Sequence, residues 1–218
     1  MIKPYYKTDL GVLYHGDCLE IMPMLEPVDL VLTDPPYGIN YQASNPSVKK
    51  GLGLTPIKIK NDSTLINLRP ILNMDCEVIS FGANCYPEQL PHRGRWICWD
   101  KRVIESADRM LGSPFELAWR NIDHGFDTMI RIMHGGVVNS DRGKRYHPTQ
   151  KPIALMVRIL SGICKKAELV LDPFIGSGTV AIACQILNRR WIGIEIEEKY
   201  CEIAAKRIEM ERSQLKLW

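Results

Sequence analysis

The chain has 218 residues, of which 45% are hydrophobic, and its 28 basic and 25 acidic side chains give a net charge of +3. This composition predicts one substantial hydrophobic core, and so mild a charge neither requires nor excludes a polyanionic partner. The seven cysteines are odd in number and form no CxxC pair, which argues against a disulfide framework and a zinc knuckle. No stretch approaches the roughly 20 apolar residues of a membrane span and the N-terminus lacks a signal-peptide core, so we expect a cytoplasmic protein without a membrane partner.

A short strand is predicted at residues 12–14, followed by a Gly-Asp turn and a helical pattern at residues 18–25. Pro23 is expected to kink or interrupt this helix. Asp17 has two interpretations that the residues alone leave open. It is either the N-terminal cap of the helix or an acid that contacts a ligand.

The stretch around which the chain is organised is VDLVLTDPPY, residues 28–37. Its apolar run predicts a buried strand of a parallel sheet, with Asp34 at the carboxyl end, the edge where open α/β sheets bind ligands. Pro35 and Pro36 cannot continue the ladder and predict a stiff turn that presents the Asp34 carboxylate and the ring of Tyr37. The alternative is a strand-ending turn without function. A second strand that ends in Asp-Pro-aromatic, at residues 168–174, disfavours this alternative.

The apolar pattern fails from residue 38 to residue 72, and residues 40–60 are predicted to form a basic loop. Lys49 and Lys50 in this loop follow the DPPY turn closely, which makes them candidate DNA-binding residues. A solvated surface loop is the alternative for such a small lysine cluster.

Three further strands are predicted at residues 78–81, 96–99 and 115–120, and no clear periodicity is found between residues 122 and 145. The histidines in and near this region are irregularly spaced and lack an accompanying pattern of Cys or Asp, so we expect no metal site. Four arginines are candidate contacts to guanine edges or to phosphates, with plain solubility as the alternative: Arg102, Arg131, Arg142 and Arg145.

The second half alternates strands with helices. A helix is predicted after HPTQKP at residues 147–152, with Thr149 as its cap and Gly162 at its end. A strand at residues 168–171, a glycine turn, a helix, a strand at residues 191–196 and a final helix follow. This alternation predicts an α/β fold with a Rossmann-like, doubly wound, mostly parallel sheet and a small irregular insertion.

The glycine turn DPFIGSGT suggests what the chain binds. Gly176 and Gly178 permit positive φ and a close approach of a ligand to the backbone. The turn lacks the lysine of a P-loop and the three spaced glycines of a dinucleotide site. Glu195, at the end of the next strand, is placed to accept hydrogen bonds from ribose hydroxyls. A nucleoside cofactor without a phosphate chain satisfies both features, and S-adenosylmethionine is such a molecule.

In this order, TDPPY, HPTQKP, DPFIGSGT and GIEI resemble the amino-methylating DNA methyltransferases of the β arrangement, in which the catalytic motif precedes the cofactor motif. The resemblance covers residues 12–37 and 146–205, with weaker similarity at residues 99–101 (WDK) and 115–116 (FE). It implies that Asp34, Pro35, Pro36 and Tyr37 are catalytic. The cofactor-binding residues that it implies are Asp17, His147, Thr149, Lys151, Asp172, Pro173, Phe174, Gly176, Ser177, Gly178, Thr179 and Glu195.

The resemblance further implies transfer of a methyl group from S-adenosylmethionine to the exocyclic N6 amine of adenine in double-stranded DNA, after the base is flipped out. Asp34 favours adenine because Ser at this position is commoner in the cytosine N4 enzymes, which stay an alternative. None of the seven cysteines follows a proline, so cytosine C5 chemistry is rejected. RNA or protein-amide methylation and a non-catalytic DNA-binding module are the remaining alternatives.

The predicted organisation is a single methyltransferase domain, residues 1–218. Within it we expect a catalytic half at about residues 10–120, a candidate target-recognition segment at residues 102–145 and a cofactor half at residues 146–212. A homodimer is expected from the resemblance alone.

Overall fold

The computed structural model describes residues 2–39, 66–102, 113–133 and 150–215. Within these ranges one sheet contains all the strands. They are β1 Tyr6–Lys7, β2 Gly11–His15, β3 Leu30–Thr33, β4 Glu77–Phe81, β5 Arg95–Asp100, β6 Phe115–Arg120, β7 Thr128–Arg131, β8 Leu169–Asp172 and β9 Arg190–Glu195.

The strands lie in the order β1-β2-β9-β8-β3-β4-β6-β5-β7. The five strands β2, β9, β8, β3 and β4 are parallel to one another, whereas β1 is antiparallel to β2, and β6 is antiparallel to both β4 and β5. The predicted α/β fold with a mostly parallel sheet is confirmed. Because β3 and β8 are neighbours, the two Asp-Pro-aromatic turns leave the same edge of the sheet.

The helices of the described chain are short apart from the last. They are α1 Cys18–Ile21, α2 Arg69–Leu72, α3 Ile153–Arg158, α4 Thr179–Ile186 and α5 Glu198–Leu215. Pro23 lies in a 3-10 turn, Met22–Met24, that follows α1, so the predicted interruption is present. The prediction that Gly162 ends the helix that follows HPTQKP is wrong, because this helix, α3, continues as a π-helix, Ile159–Ile163. The amide of Cys164 closes that turn by donating to the carbonyl of Ile159 at 3.0 Å.

The core lies on both faces of the central strands. Every residue of β3 and β8 is buried, which explains their continuous apolar runs. Residues of α3, α4 and α5 cover one face, and residues of α1 and α2 cover the other. This two-sided burial fixes the carboxyl ends of β3, β8 and β9 relative to one another.

Two elements near the insertion differ from expectation. The pattern predicted no strand between residues 122 and 145, yet β7 pairs in parallel with β5 at the edge of the sheet. Only Ile130 of this strand is buried, so the sequence carries almost no alternation that could reveal it. The short helix α2 lies in the stretch where the apolar pattern failed.

The division of the chain into a catalytic half and a cofactor half stays a prediction, and the basic loop at residues 40–60 lies outside the described residues. Within the described ranges, none of the helices is both long enough and apolar enough to span a bilayer.

Candidate active site

The candidate site is built on three adjacent carboxyl ends. Asp34 follows β3, Asp172 ends β8 and Glu195 ends β9. The hydroxyl of Thr33 donates to Oδ1 of Asp172 at 2.8 Å, so the two Asp-Pro turns are directly connected. Residues that are far apart along the chain therefore meet at the edge where ligands bind in this kind of fold.

The DPPY turn presents a carboxylate whose two oxygens have different partners. The Tyr37 hydroxyl donates to Oδ1 of Asp34, and Nζ of Lys151 lies 2.5 Å from Oδ2. The ring of Tyr37 packs over Gly82, where an added Cβ would lie 2.0 Å from the ring. Gly82 also has a φ of 67°, so both space and backbone conformation require glycine there. Sequence reasoning gave Gly82 no role beyond ending a strand.

Lys151 joins Asp34 to a second carboxylate, and both carboxylates are partly buried. Its side chain is 5% exposed, and Nζ lies 3.1 Å from Oε2 of Glu116 on β6. Lys101 forms an ion pair with the other oxygen, Oε1 of Glu116. Four charged groups of alternating sign thus run from Lys101 to Asp34. The resemblance implied a cofactor role for Lys151 and gave none to Glu116.

Burial sets the ionisation of this cluster. Burial raises the pKa of Asp34, and the neighbouring Lys151 ammonium opposes that rise. Burial would also raise the pKa of Glu116, but Lys151 and Lys101 together outweigh it and lower that pKa to about 2. Burial and the Asp34 charge raise the pKa of Tyr37, which keeps its hydroxyl protonated as a donor.

Asp172 is 4% exposed and accepts hydrogen bonds at Oδ1 from Thr33 and from the amide of Phe174, the latter at 3.1 Å. Burial raises the pKa of this carboxyl to about 7, although both hydrogen bonds favour the charged form. A buried acid of this kind is suited to a cationic ligand group.

The glycine loop is held in shape by the C-terminal helix. Arg207 on α5 is 5% exposed and donates to the carbonyl of Ser177 at 2.5 Å and to its hydroxyl at 2.8 Å. The Ser177 hydroxyl donates in turn to Gln150 at 3.4 Å. Sequence reasoning missed Arg207, and the signal was a cation among the apolar helical positions 200, 203, 204 and 208.

The two glycines of the loop differ in surroundings. Gly178 has a φ of 85°, and an added Cβ would lie 3.2 Å from Cβ of Ala204 on α5. Gly176 has a φ of 51°, and its added Cβ would meet only the carbonyl of Phe174, at 3.9 Å. Backbone conformation requires a glycine-like residue at both positions, whereas close packing acts only at Gly178.

Glu195 links the glycine loop to the next turn. It accepts hydrogen bonds from the amide of Gly176 at 3.0 Å and from the amide of Glu197 at 2.8 Å. Asp17 caps α1, since its carboxylate accepts from the amide of Leu19 at 2.8 Å. The amide of Gly16 donates to the backbone carbonyl of Glu195 at 2.9 Å, so the Gly-Asp turn adjoins the end of β9.

The structure locates the other candidates as follows. Pro35, Pro173 and Thr179 are buried, and Pro36 and Phe174 are partly exposed. Arg102 is buried, whereas Arg131 is exposed and lies 3.5 Å from Asp100. The remaining candidates lie outside the described residues: Lys49, Lys50, Arg142, Arg145, His147 and Thr149.

A family model described as DNA methylase matches residues 121–206, which include both the HPTQKP and the DPFIGSGT motifs. This part of the chain is similar to the DNA methylase family. Together with the relatives and solved structures below, this match confirms the predicted enzyme class, a DNA methyltransferase, and its methyl donor, S-adenosylmethionine.

Among relatives of this methylase, the type II methyltransferase M2.DpnII of Streptococcus pneumoniae is 26% identical over 97% of this chain and 94% of its own length. That alignment has 267 positions, so the relative carries segments that this shorter chain lacks. The type II methyltransferase M.HpaI of Haemophilus parainfluenzae is 44% identical over 33% of this chain and 23% of its own length.

Two solved structures share the fold of this methylase. M1.HpyAVI, solved as a complex with SAM, gives a TM-score of 0.54 at 24% identity and covers 91% of this chain and 99% of its own. The cytosine-N4-specific PvuII DNA methyltransferase gives a TM-score of 0.58 at 16% identity, over 98% of this chain and 95% of its own.

The residues of the glycine loop fit S-adenosylmethionine. Asp172 and Glu195 place two buried carboxyls at the loop. The loop itself, residues 173–178, contains no lysine or arginine that could bind a phosphate chain. The space next to Gly176 lets a ligand reach the backbone. Acidic groups and an open backbone suit a cationic nucleoside better than a nucleotide.

Proposed function

We propose that this methyltransferase modifies the exocyclic N6 amine of adenine in duplex DNA, with Asp34 as the residue that binds the amine. One observation carries the proposal: Asp34 and Tyr37 stand at the end of β3, directly beside the cofactor loop that follows β8. The 2.8 Å bond from Thr33 to Asp172 links the two.

The chemistry explains why a carboxylate is needed. The lone pair of an exocyclic amine is delocalised into the base, which makes the nitrogen a poor nucleophile. Asp34 and the carbonyl of Pro35 accept its two N–H bonds and favour the pyramidal geometry that frees the lone pair. Positioning of the amine and electrostatic stabilisation by these groups accelerate the methyl transfer.

S-adenosylmethionine, held at the glycine loop beside Asp172 and Glu195, would supply an electrophilic methyl carbon on a sulfonium leaving group. The amine nitrogen would take this methyl group with its lone pair, and the electron pair of the methyl–sulfur bond would stay on sulfur. The nitrogen then carries a positive charge and one proton too many. Asp34 lies against it and accepts that proton. Pro36 keeps the turn stiff, so that the carboxylate does not move away.

The base must leave the duplex to reach Asp34, because the exocyclic amine is otherwise inaccessible to the active site. Tyr37 supplies a ring on which a flipped base stacks. Adenine is preferred to cytosine because of Asp at position 34.

The test is methyl transfer from labelled S-adenosylmethionine to unmethylated genomic DNA, followed by nucleoside analysis. We expect N6-methyladenine from the wild-type protein and none from Asp34→Ala. Calorimetry should show that Asp34→Ala binds the cofactor with nearly wild-type affinity, because the cofactor loop is intact. If the nucleoside analysis finds N4-methylcytosine instead of N6-methyladenine, the target base is cytosine and not adenine. Label in RNA or protein but not in DNA would overturn the proposal.

A further inference from the structure

We propose that Glu116 is a positioning residue that receives the Lys151 ammonium when the target amine takes its place on Asp34. The inference rests on the proposed function of Asp34. Both carboxylate oxygens of Asp34 already accept hydrogen bonds, Oδ1 from the Tyr37 hydroxyl and Oδ2 from the Lys151 ammonium. An incoming amine is a further donor, so one of these bonds must be exchanged.

Lys151 is the partner that must move. The Tyr37 hydroxyl is tied to a ring packed over Gly82, whereas the lysine ammonium ends a flexible chain of four methylenes. Its side chain is 5% exposed, so it has little access to water when it leaves Asp34. A buried ammonium without a counter-ion is strongly unfavourable. Exchange therefore needs a second carboxylate within reach.

Glu116 meets this requirement. Its Oε2 is 3.1 Å from Nζ of Lys151, yet this oxygen is buried and accepts no hydrogen bond of good geometry from the described residues. A small movement of Nζ would complete that bond. The other oxygen is held by Lys101, which fixes the carboxylate in position. Glu116 is also ionised throughout the working range, since its pKa is about 2.

The surrounding rings keep the ammonium in this region. Nζ of Lys151 lies 5.4 Å from the centroid of the Phe81 ring and 5.8 Å from that of Tyr37. Both rings attract a cation over their faces. The ammonium can pass from Asp34 to Glu116 without losing this contact, and Asp34 is then left as a free anion for the amine and later for its proton.

Without Glu116, Lys151 has Asp34 as its sole carboxylate in the cluster and competes directly with the amine. We expect Glu116→Gln to slow single-turnover methyl transfer by about tenfold or more, with little change in cofactor affinity. The discriminating variant is Glu116→Gln combined with Lys151→Met. Removal of the competing ammonium should make this double variant faster than Glu116→Gln alone. A purely structural role for Glu116 predicts that the double variant is as slow or slower, and that result would overturn the proposal.

The matched control is Glu77→Gln. Glu77 forms a similarly half-buried ion pair with Arg120, 2.5 Å long, but stands at the opposite edge of the sheet. The Glu77→Gln variant should be less stable than wild type but should transfer the methyl group at the wild-type rate. If Glu116→Gln does not fold, Glu116→Asp keeps the charge but holds it farther from Nζ of Lys151, so we expect a slower transfer that the added Lys151→Met substitution restores. A slow Glu116→Asp variant that Lys151→Met does not speed up would refute the exchange. Wild-type protein that methylates no DNA would refute the proposed function instead, so the two failures are distinguishable.

Discussion

Among single residues, Asp172 carries a pH dependence that can be measured. Its carboxyl keeps its proton up to about pH 7 in the folded protein, whereas an ordinary Asp loses it near 3.8. Between pH 3.8 and about 7, the Asp172 carboxyl is therefore ionised in the unfolded chain and protonated in the native protein. The free energy of unfolding that Asp172 contributes is therefore complete below the lower pKa and is lost as the pH rises through 7.

Asp172→Asn does not titrate and can still accept from Thr33 and Phe174. We expect it to be more stable than wild type by about 2–4 kcal/mol at pH 8 and by less than half of that at about pH 5. Cofactor affinity should fall, because a cationic ligand loses its counter-charge. Denaturant unfolding at both pH values and calorimetry provide the measurements. Parallel stability profiles for the two proteins would contradict the raised pKa.

At the scale of elements, the two glycines of the cofactor loop separate packing from ligand access. Gly178→Ala places a methyl group against Ala204 at a positive φ and should cost about 1–3 kcal/mol of stability. Gly176→Ala bears strain alone and should cost about 1 kcal/mol. Its methyl group fills the open space beside the backbone, so it should still weaken cofactor binding. Thermal unfolding and calorimetry on both variants test this, and equal stability losses would refute the packing argument.

The elements also show what the sequence could and could not predict. Asp34 and Glu195 were predicted as functional from their positions at strand ends, and the resemblance added Asp172. The parallel strands β3, β8 and β9 bring these three ends to one edge. The link from Lys101 through Glu116 to Lys151 was not predictable. It depends on β6 lying between β4 and β5, an order that follows from the antiparallel pairing of the insertion and not from the order of strands along the chain.

Arg207 was missed for a different reason. A cation on an apolar helical face normally extends to solvent, whereas Arg207 is buried with its guanidinium donating to the carbonyl and the hydroxyl of Ser177. The role of Asp17 as a helix cap was one of two open interpretations, and the structure supports the cap directly.

At the scale of the whole molecule, the two ends of the described chain lie together. The Tyr6 hydroxyl donates to Glu209 at 2.6 Å, and the Arg212 guanidinium donates to Asp9 at 3.3 Å. β1 and the last helix are thus neighbours in space. Meanwhile the site is assembled by strand adjacency, with Thr33 bonded to Asp172 across 139 positions of sequence.

The site depends on which strands are neighbours in the sheet and not on their order along the chain, so the fold should tolerate circular permutation. We expect a chain that is opened between residues 133 and 150, with a short Gly-Ser linker joining its old ends, to fold and to methylate DNA. Cofactor affinity by calorimetry and methyl transfer are the measurements, and a permuted protein that folds but binds no cofactor would contradict the expectation. In such a chain the cofactor motif would precede DPPY, so a single gene could evolve between the two motif orders without rebuilding its active site.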